Sequence, residues 1–199
     1  MMLIEETNVA IAALPVDAFK AHLRMGSGFA EDAVQDAVLE GFLRAALAAI
    51  EARTGKVLLQ RDFVWNLTAW RDGQAQALPV APVVSVNVVE TQDRLGTITV
   101  SPVTAYRLKQ DDQVPMLCAL GGALPTIPSG GCVDIRFTAG MAANWDGLPA
   151  DLAQAVMLLG AHYYEYRNET ALSAGCMPFG VTSLIERYRR VRLTRGGGQ

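Results

Sequence analysis

The chain has 199 residues, 51% hydrophobic and 19% charged, with a formal net charge of −3. That is enough apolar material for a core and too little charge for a wholly disordered chain. Gly and Pro interrupt the longest uncharged runs, so none matches the ~20-residue apolar helix a bilayer requires, and the opening MMLIEETNVA has acids where a secretory signal needs bases; a soluble protein made in the cytoplasm, with no membrane partner, is expected.

The first stretch reads as helix. Pro15, Val16 and Asp17 open a short segment, VDAFKAHLRM, with Phe19 and Leu23 on one face. Gly26-Ser27-Gly28 forms a loop. A long helix then runs from Glu31 to a C-capping Gly55. Val34, Val38, Phe42, Ala45 and Ala49 recur at steps of three and four, and Leu39, Leu43, Ala46 and Ile50 form an adjoining stripe. The two stripes predict a broad buried face. Glu31 and Asp32 in the first turn and Arg53 in the last suit the helix dipole.

From Lys56 to Gly140 the helical period disappears. Leu59, Phe63, Trp65 and Leu67 alternate with polar residues, as in a half-buried strand. Arg71-Asp72-Gly73 signals a turn. Val83–Val89 is rich in β-branched residues, and Pro79 and Pro82 favour extended chain ahead of it. Thr97–Val100, Tyr106–Lys109 and Val133–Phe137 are further short strands, with long Gly- and Pro-containing loops between them. One small antiparallel sheet is expected.

Helix returns at Pro149, a natural first helical residue. Leu152, Ala155, Val156, Leu159, Tyr163 and Tyr166 form one face, while Met157, Leu158 and Tyr164 lie opposite, so this helix is apolar nearly all round. Such a helix is buried in a core or against neighbouring chains. After a linker at Asn168–Gly175, Pro178 starts a last helix carrying Val181, Leu184, Ile185, Tyr188 and Val191. The predicted fold class is α+β: a small helical bundle built from residues 1–55 and 141–199, with a β-subdomain inserted at 56–140.

Motifs for catalysis are sparse. The chain lacks GxSxG, P-loop, GxGxxG and HExxH patterns. Cys118, Cys132 and Cys176 are an odd number without CxxC spacing and read as reduced thiols. The two histidines, His22 and His162, exclude a multi-histidine metal site, and no cofactor is expected. His162 and Glu165 share a helix and resemble an acid–base pair, but their apolar setting favours packing over catalysis. Glu165, Arg167 and Glu169 read as a solvated or inter-subunit face, and Tyr163, Tyr164 and Tyr166 as core or interface rather than a nucleic-acid stacking platform.

Charge is unevenly placed. Residues 1–185 balance to −7, whereas residues 186–199 balance to +4 through Arg187, Arg189, Arg190, Arg192 and Arg195 against Glu186. A basic tail on an acidic body predicts different partners for the two.

Five stretches in order resemble the head–tail connector, or adaptor, family of long-tailed phages and the related gene transfer agents. They are Leu14–Leu23 with the helix ending Ala52-Arg53-Thr54-Gly55; Leu78–Val86; VDIRFTAGM at Val133–Met141; Leu148-Pro149 with Leu152, Ala155, His162-Tyr163-Tyr164-Glu165 and Arg167; and Pro178-Phe179-Gly180-Val181 with Leu184 and Tyr188-Arg189. Met141 departs from the large aromatic more usual in the family. The resemblance implies a non-enzymatic homo-oligomeric ring, twelve copies as a rule, at the head–tail junction of a phage-like particle, assembled in the host cytoplasm. Its implied partners are the portal protein and a stopper or tail-completion protein, with DNA passing through the channel without sequence-specific binding. The family's C-terminal segment engages the portal, which points to Ile185, Arg187, Tyr188, Arg189, Arg190, Arg192 and Arg195. Tyr164, Glu165, Arg167 and Glu169 are the candidate subunit-interface residues. The alternative is a DNA-binding accessory of packaging, since clustered arginines suffice to neutralise phosphate.

Overall fold

The structure is a computed structural model that describes residues 1–25, 33–167 and 177–189. It has an α+β fold that divides into two compact units, residues 1–14 with 56–148 and residues 15–55 with 149–199.

The first unit is built on β-strands, with short 3-10 turns at Ile11–Ala13, Val103–Ala105 and Trp145–Gly147. Its strands are β1 (Met2–Glu5), β2 (Arg61–Leu67), β3 (Ala75–Ala77), β4 (Val83–Gln92), β5 (Ile98–Val100), β6 (Tyr106–Lys109), β7 (Met116–Ala119) and β8 (Cys132–Ala139). They form two antiparallel sheets rather than the one expected: a five-stranded sheet in the order β1-β2-β8-β4-β5 and a three-stranded sheet in the order β3-β7-β6. The additional strands are β1, β3 and β7. Residues 1–14, expected with the helices, cluster with these sheets because β1 pairs along β2, Leu3 facing Trp65 and Glu5 facing Phe63. The alternation in β2 and β8 drives the core: Phe63, Trp65 and Leu67 face Phe137, Ile135 and Val133 across the ladder. Phe63 and Phe137 stack with centroids 5.6 Å apart. Leu78, Tyr106, Leu117 and Leu124 join the same apolar cluster, so the small sheet and its loops share that core.

Gly140 closes β8 with φ of +147°, a conformation L side chains rarely adopt. A Cβ there would lie 2.4 Å from Gln60 Cα and 2.5 Å from Gln60 N. The glycine of the VDIRFTAGM segment is thus a close-approach requirement between β8 and the chain leading into β2.

The second unit is helical: α1 (Val16–His22), α2 (Ala33–Thr54), α3 (Ala150–Glu165) and α4 (Phe179–Ile185). Gly55, at φ +70°, caps α2 by donating from its N–H to the Glu51 carbonyl at 2.8 Å. The buried stripe of α2 is narrower than predicted. Leu39, Leu43, Ala46 and Ile50 are buried, with Leu47 beside them. Val38 and Ala45 face outward, and Phe42 and Ala49 are half-buried. α3 buries Leu152, Ala155, Val156, Met157, Leu159 and Gly160 among α1, α2 and α4. Its apolar circumference is therefore used largely inside its own unit. At Gly160 the helices come so close that a Cβ would lie 3.0 Å from the fully buried Phe19 ring of α1. Lys20 of α1 reaches Asp36 of α2 at 2.5 Å and Asp17 at 3.8 Å. Beside Asp36 its ammonium is held above the usual lysine pKa.

Candidate docking and interface surfaces

Pro178 sets the extended backbone from which α4 starts, and the Thr182 N–H donates back to its carbonyl at 3.0 Å. Val181 and Ile185, four apart, are fully buried and hold α4 to its unit. Ile185, expected on the portal-binding segment, therefore anchors that segment and presents no surface itself. The turn that follows α4 is tied down as well. The Tyr188 hydroxyl donates to Asp151 Oδ1 at 2.9 Å, and Arg187 pairs with Asp151 Oδ2 at 2.9 Å. The Arg187 guanidinium also stacks 4.7 Å over the Tyr188 ring and donates to its hydroxyl. Arg187 and Tyr188 are thus half committed to their own subunit. Partial burial pushes the Tyr188 phenol pKa up. Arg189 bonds both carboxylate oxygens of Glu186 at 3.1 Å on an exposed surface. Arg190, Arg192 and Arg195 lie outside the described residues.

The expected subunit-interface residues gather at the end of α3. Tyr164 meets Phe42 of α2 edge-on, centroids 6.0 Å apart at 87°. Arg167 lies 4.7 Å over the Tyr164 ring. Val38, one turn before Phe42, is 48% exposed. Val38, Phe42, Tyr164 and Arg167 thus make an outward apolar strip ending in a cation. Glu165 is exposed, and Glu169 lies outside the described residues.

The chain is 52% identical to a chain from the neck of an empty GTA particle computed with C6 symmetry, over 98% of this chain and 99% of that one, at a TM-score of 0.88. A chain from the virion of a native gene transfer agent particle is 51% identical over the same shares, at a TM-score of 0.85. One from the neck of a native GTA particle computed with C12 symmetry is 49% identical, again over 98% and 99%, at 0.84. The chain belongs to the gene transfer agent head–tail connector family. No protein-family model and no curated protein matches it. Family members of this kind are structural proteins of the particle neck, at the head–tail junction.

In the connector, both histidines line one open cleft of the helical unit, with Arg24, Glu165, Tyr166 and Val181 among its other walls. The His162 ring sits 4.7 Å from that of Tyr166 and 6.3 Å from that of Tyr163. Among the described residues no group of three or more His, Cys, Asp or Glu is placed to hold a metal ion, and no helix is long and apolar enough to cross a membrane. Cys118 and Cys132 are free thiols and Cys176 lies outside the described residues. Sequence reasoning missed Asp151, which organises Arg187 and Tyr188 from the first turn of α3. Its 37-residue separation from Tyr188 leaves no local signal.

Proposed function

We propose that this connector is the non-enzymatic head–tail adaptor of its particle. Copies of it form a homo-oligomeric ring, twelve in number, docked beneath the portal. The ring receives a stopper or tail-completion protein below and passes DNA through its channel. The observation that carries this reading is near-full-length identity of about half to chains of particle necks computed with C6 and C12 symmetry. A cyclic ring repeats one heterologous interface until it closes. The strip Val38–Phe42–Tyr164–Arg167, with Glu165 beside it, supplies one face suited to that role.

Charge supports the conduit. A body at −7 repels phosphate, so DNA slides without sticking, while the C-terminal arginines suit an acidic groove on the portal. Arg189, with Arg190, Arg192 and Arg195, is the docking set. Arg187 and Tyr188 fix the direction in which that segment leaves α4.

The test is coexpression with the cognate portal. The unsubstituted chain is expected to form a stoichiometric ring complex. Changing Arg189, Arg190, Arg192 and Arg195 to Glu is expected to abolish docking without unfolding the body; retained docking overturns the role given to the tail. Tight, steeply salt-dependent duplex binding by the isolated chain would favour the DNA-packaging accessory instead.

A further inference from the structure

Among the described residues, the five-stranded sheet leaves two edges without strand partners, β1 and β5. Natural edge strands are usually blunted by Lys, Pro or inward-pointing charge, because an open ladder recruits other chains. These two are not. β1 reads MLIE and β5 reads ITV, and every residue of both is exposed. Among the described residues, all but Val84 of this sheet's exposed large apolar side chains sit on the two edges: Met2, Leu3 and Ile4 at one, Ile98 and Val100 at the other. Leu95, 82% exposed, extends the β5 edge.

Met2, Ile4, Ile98 and Val100 share one face of the sheet, and the middle of that face is mostly polar, with Val64 and Val88 set among paired side chains. Asn66 donates to Asp134 at 2.7 Å, Thr138 donates to Asp62 at 2.6 Å, and Arg136 pairs with Glu90 at 3.3 Å and with Glu6. A face built this way belongs in water, and its apolar margins do not. The β1 edge is also held in place. Arg61 of β2 pairs with Glu5 at 2.6 Å, and the Glu6 N–H donates to the Asp62 carbonyl at 2.8 Å.

Strand direction decides the occupant. Four antiparallel pairings separate β1 from β5, so the two edges run the same way. A rotation about an axis roughly parallel to the strands preserves that direction. It brings β5 of one copy beside β1 of the next as a parallel pair, and the step repeats without limit until the ring closes. Pairing like edges instead needs a two-fold axis and stops at two copies.

We infer that β5 of each subunit adds to β1 of the next copy of this chain, making one β-sheet that continues around the ring. The inference rests on the ring proposed above and names a contact that closes it. Main-chain hydrogen bonds give this contact its affinity, and the apolar pairs Met2 and Ile4 against Ile98 and Val100 give it register.

Cysteine pairing tests it. In a chain carrying Cys118→Ala, Cys132→Ala and Cys176→Ala, each of Met2 and Ile4 is combined with each of Ile98 and Val100 as a double change to Cys. Each protein is assembled on the cognate portal and oxidised. At least one combination is expected to give a ladder of covalent multimers beyond the dimer that collapses on reduction, while single variants stay monomeric. In the native-cysteine chain, Ile98→Lys with Val100→Lys is expected to prevent ring closure with the melting temperature unchanged. A ring visible by electron microscopy with no ladder from any combination overturns the edge contact and leaves the adaptor reading standing. Dimers from the single variants overturn it in favour of like-edge pairing. Absence of any ring or portal complex from the unsubstituted chain overturns both.

Discussion

The Tyr188 hydroxyl donates to Asp151 at 2.9 Å, fastening the turn after α4 to the first turn of α3. Two side chains of that turn converge on the carboxylate, which also accepts from the Leu152 N–H at 3.0 Å, and their contributions are unequal. The Arg187 side chain is 68% exposed, so water and salt screen its pair. The Tyr188 phenol is half-buried, and its hydrogen bond to a charged acceptor is worth about 1 kcal/mol or somewhat more. Tyr188→Phe is therefore expected to lower the melting temperature by roughly 2–4 °C, and Arg187→Ala by less. Equal melting curves for Tyr188→Phe and the unsubstituted protein would refute the ordering. Portal affinity should fall in Asp151→Ala even though Asp151 is outside the proposed docking set, because the arginine segment loses its fixed point of departure.

Gly140 makes a sharper prediction. Alanine there meets the Gln60 backbone at 2.4 Å and must hold φ near +147°. Overpacking against rigid backbone and a strained φ together cost about 3–5 kcal/mol. Gly140→Ala is expected to be insoluble or to melt at least about 8 °C lower. An unchanged melting temperature in a scanning calorimeter would contradict the close approach.

Legibility in the sequence followed the strength of the local period. The strand at Tyr106–Lys109 is read at its observed bounds, and α3 begins at Ala150, directly after Pro149. β3 (AQA) and β7 (MLCA) are too short and too poor in β-branched residues to show a period. They are strands because they pair with each other across a 40-residue separation. β1 was invisible for a related reason: its partner β2 lies some 60 residues away and one side of its ladder is open. In α2 both stripes have the same period, and hydrophobicity alone does not say which one faces α3. For the site, the arginine cluster was plain in the composition. Its tether to Asp151 was not, because that contact exists only after the helices pack.

Acid sensitivity has an identifiable source. Asp93, in the β4–β5 turn, accepts from the backbone N–H groups of Leu95 at 2.8 Å and Thr97 at 2.9 Å. Asp111 accepts from Val114 and Gln113, both at 2.7 Å. These bonds to the charged form, from Thr97 above all for Asp93 and Val114 for Asp111, lower both pKa values. A depressed folded pKa means the contribution is complete above the unfolded value of about 3.9 and is lost as pH falls through the folded value. Thermal melts between pH 6 and pH 2 should therefore show stability declining at the acid end. Asp93→Asn with Asp111→Asn keeps the acceptor oxygens and removes the titration, so its curve should be flatter. Parallel curves would place the acid sensitivity elsewhere.

Val38 tests the helical interface independently of the sheet edges. It is 48% exposed on α2, one turn from Phe42, whose ring meets Tyr164. Inside its own subunit it has little to lose, so Val38→Glu should change stability by no more than about 0.5 kcal/mol. In a ring the same side chain would be covered by the neighbouring copy, and a carboxylate buried there without a partner is costly. Assembly on the portal should then fall sharply while the monomer melts normally. Val38→Leu adds apolar surface without charge and should assemble as the unsubstituted chain does. If Val38→Glu assembles equally well, the strip faces solvent in the ring, and Tyr164 and Arg167 stack for the stability of their own subunit alone.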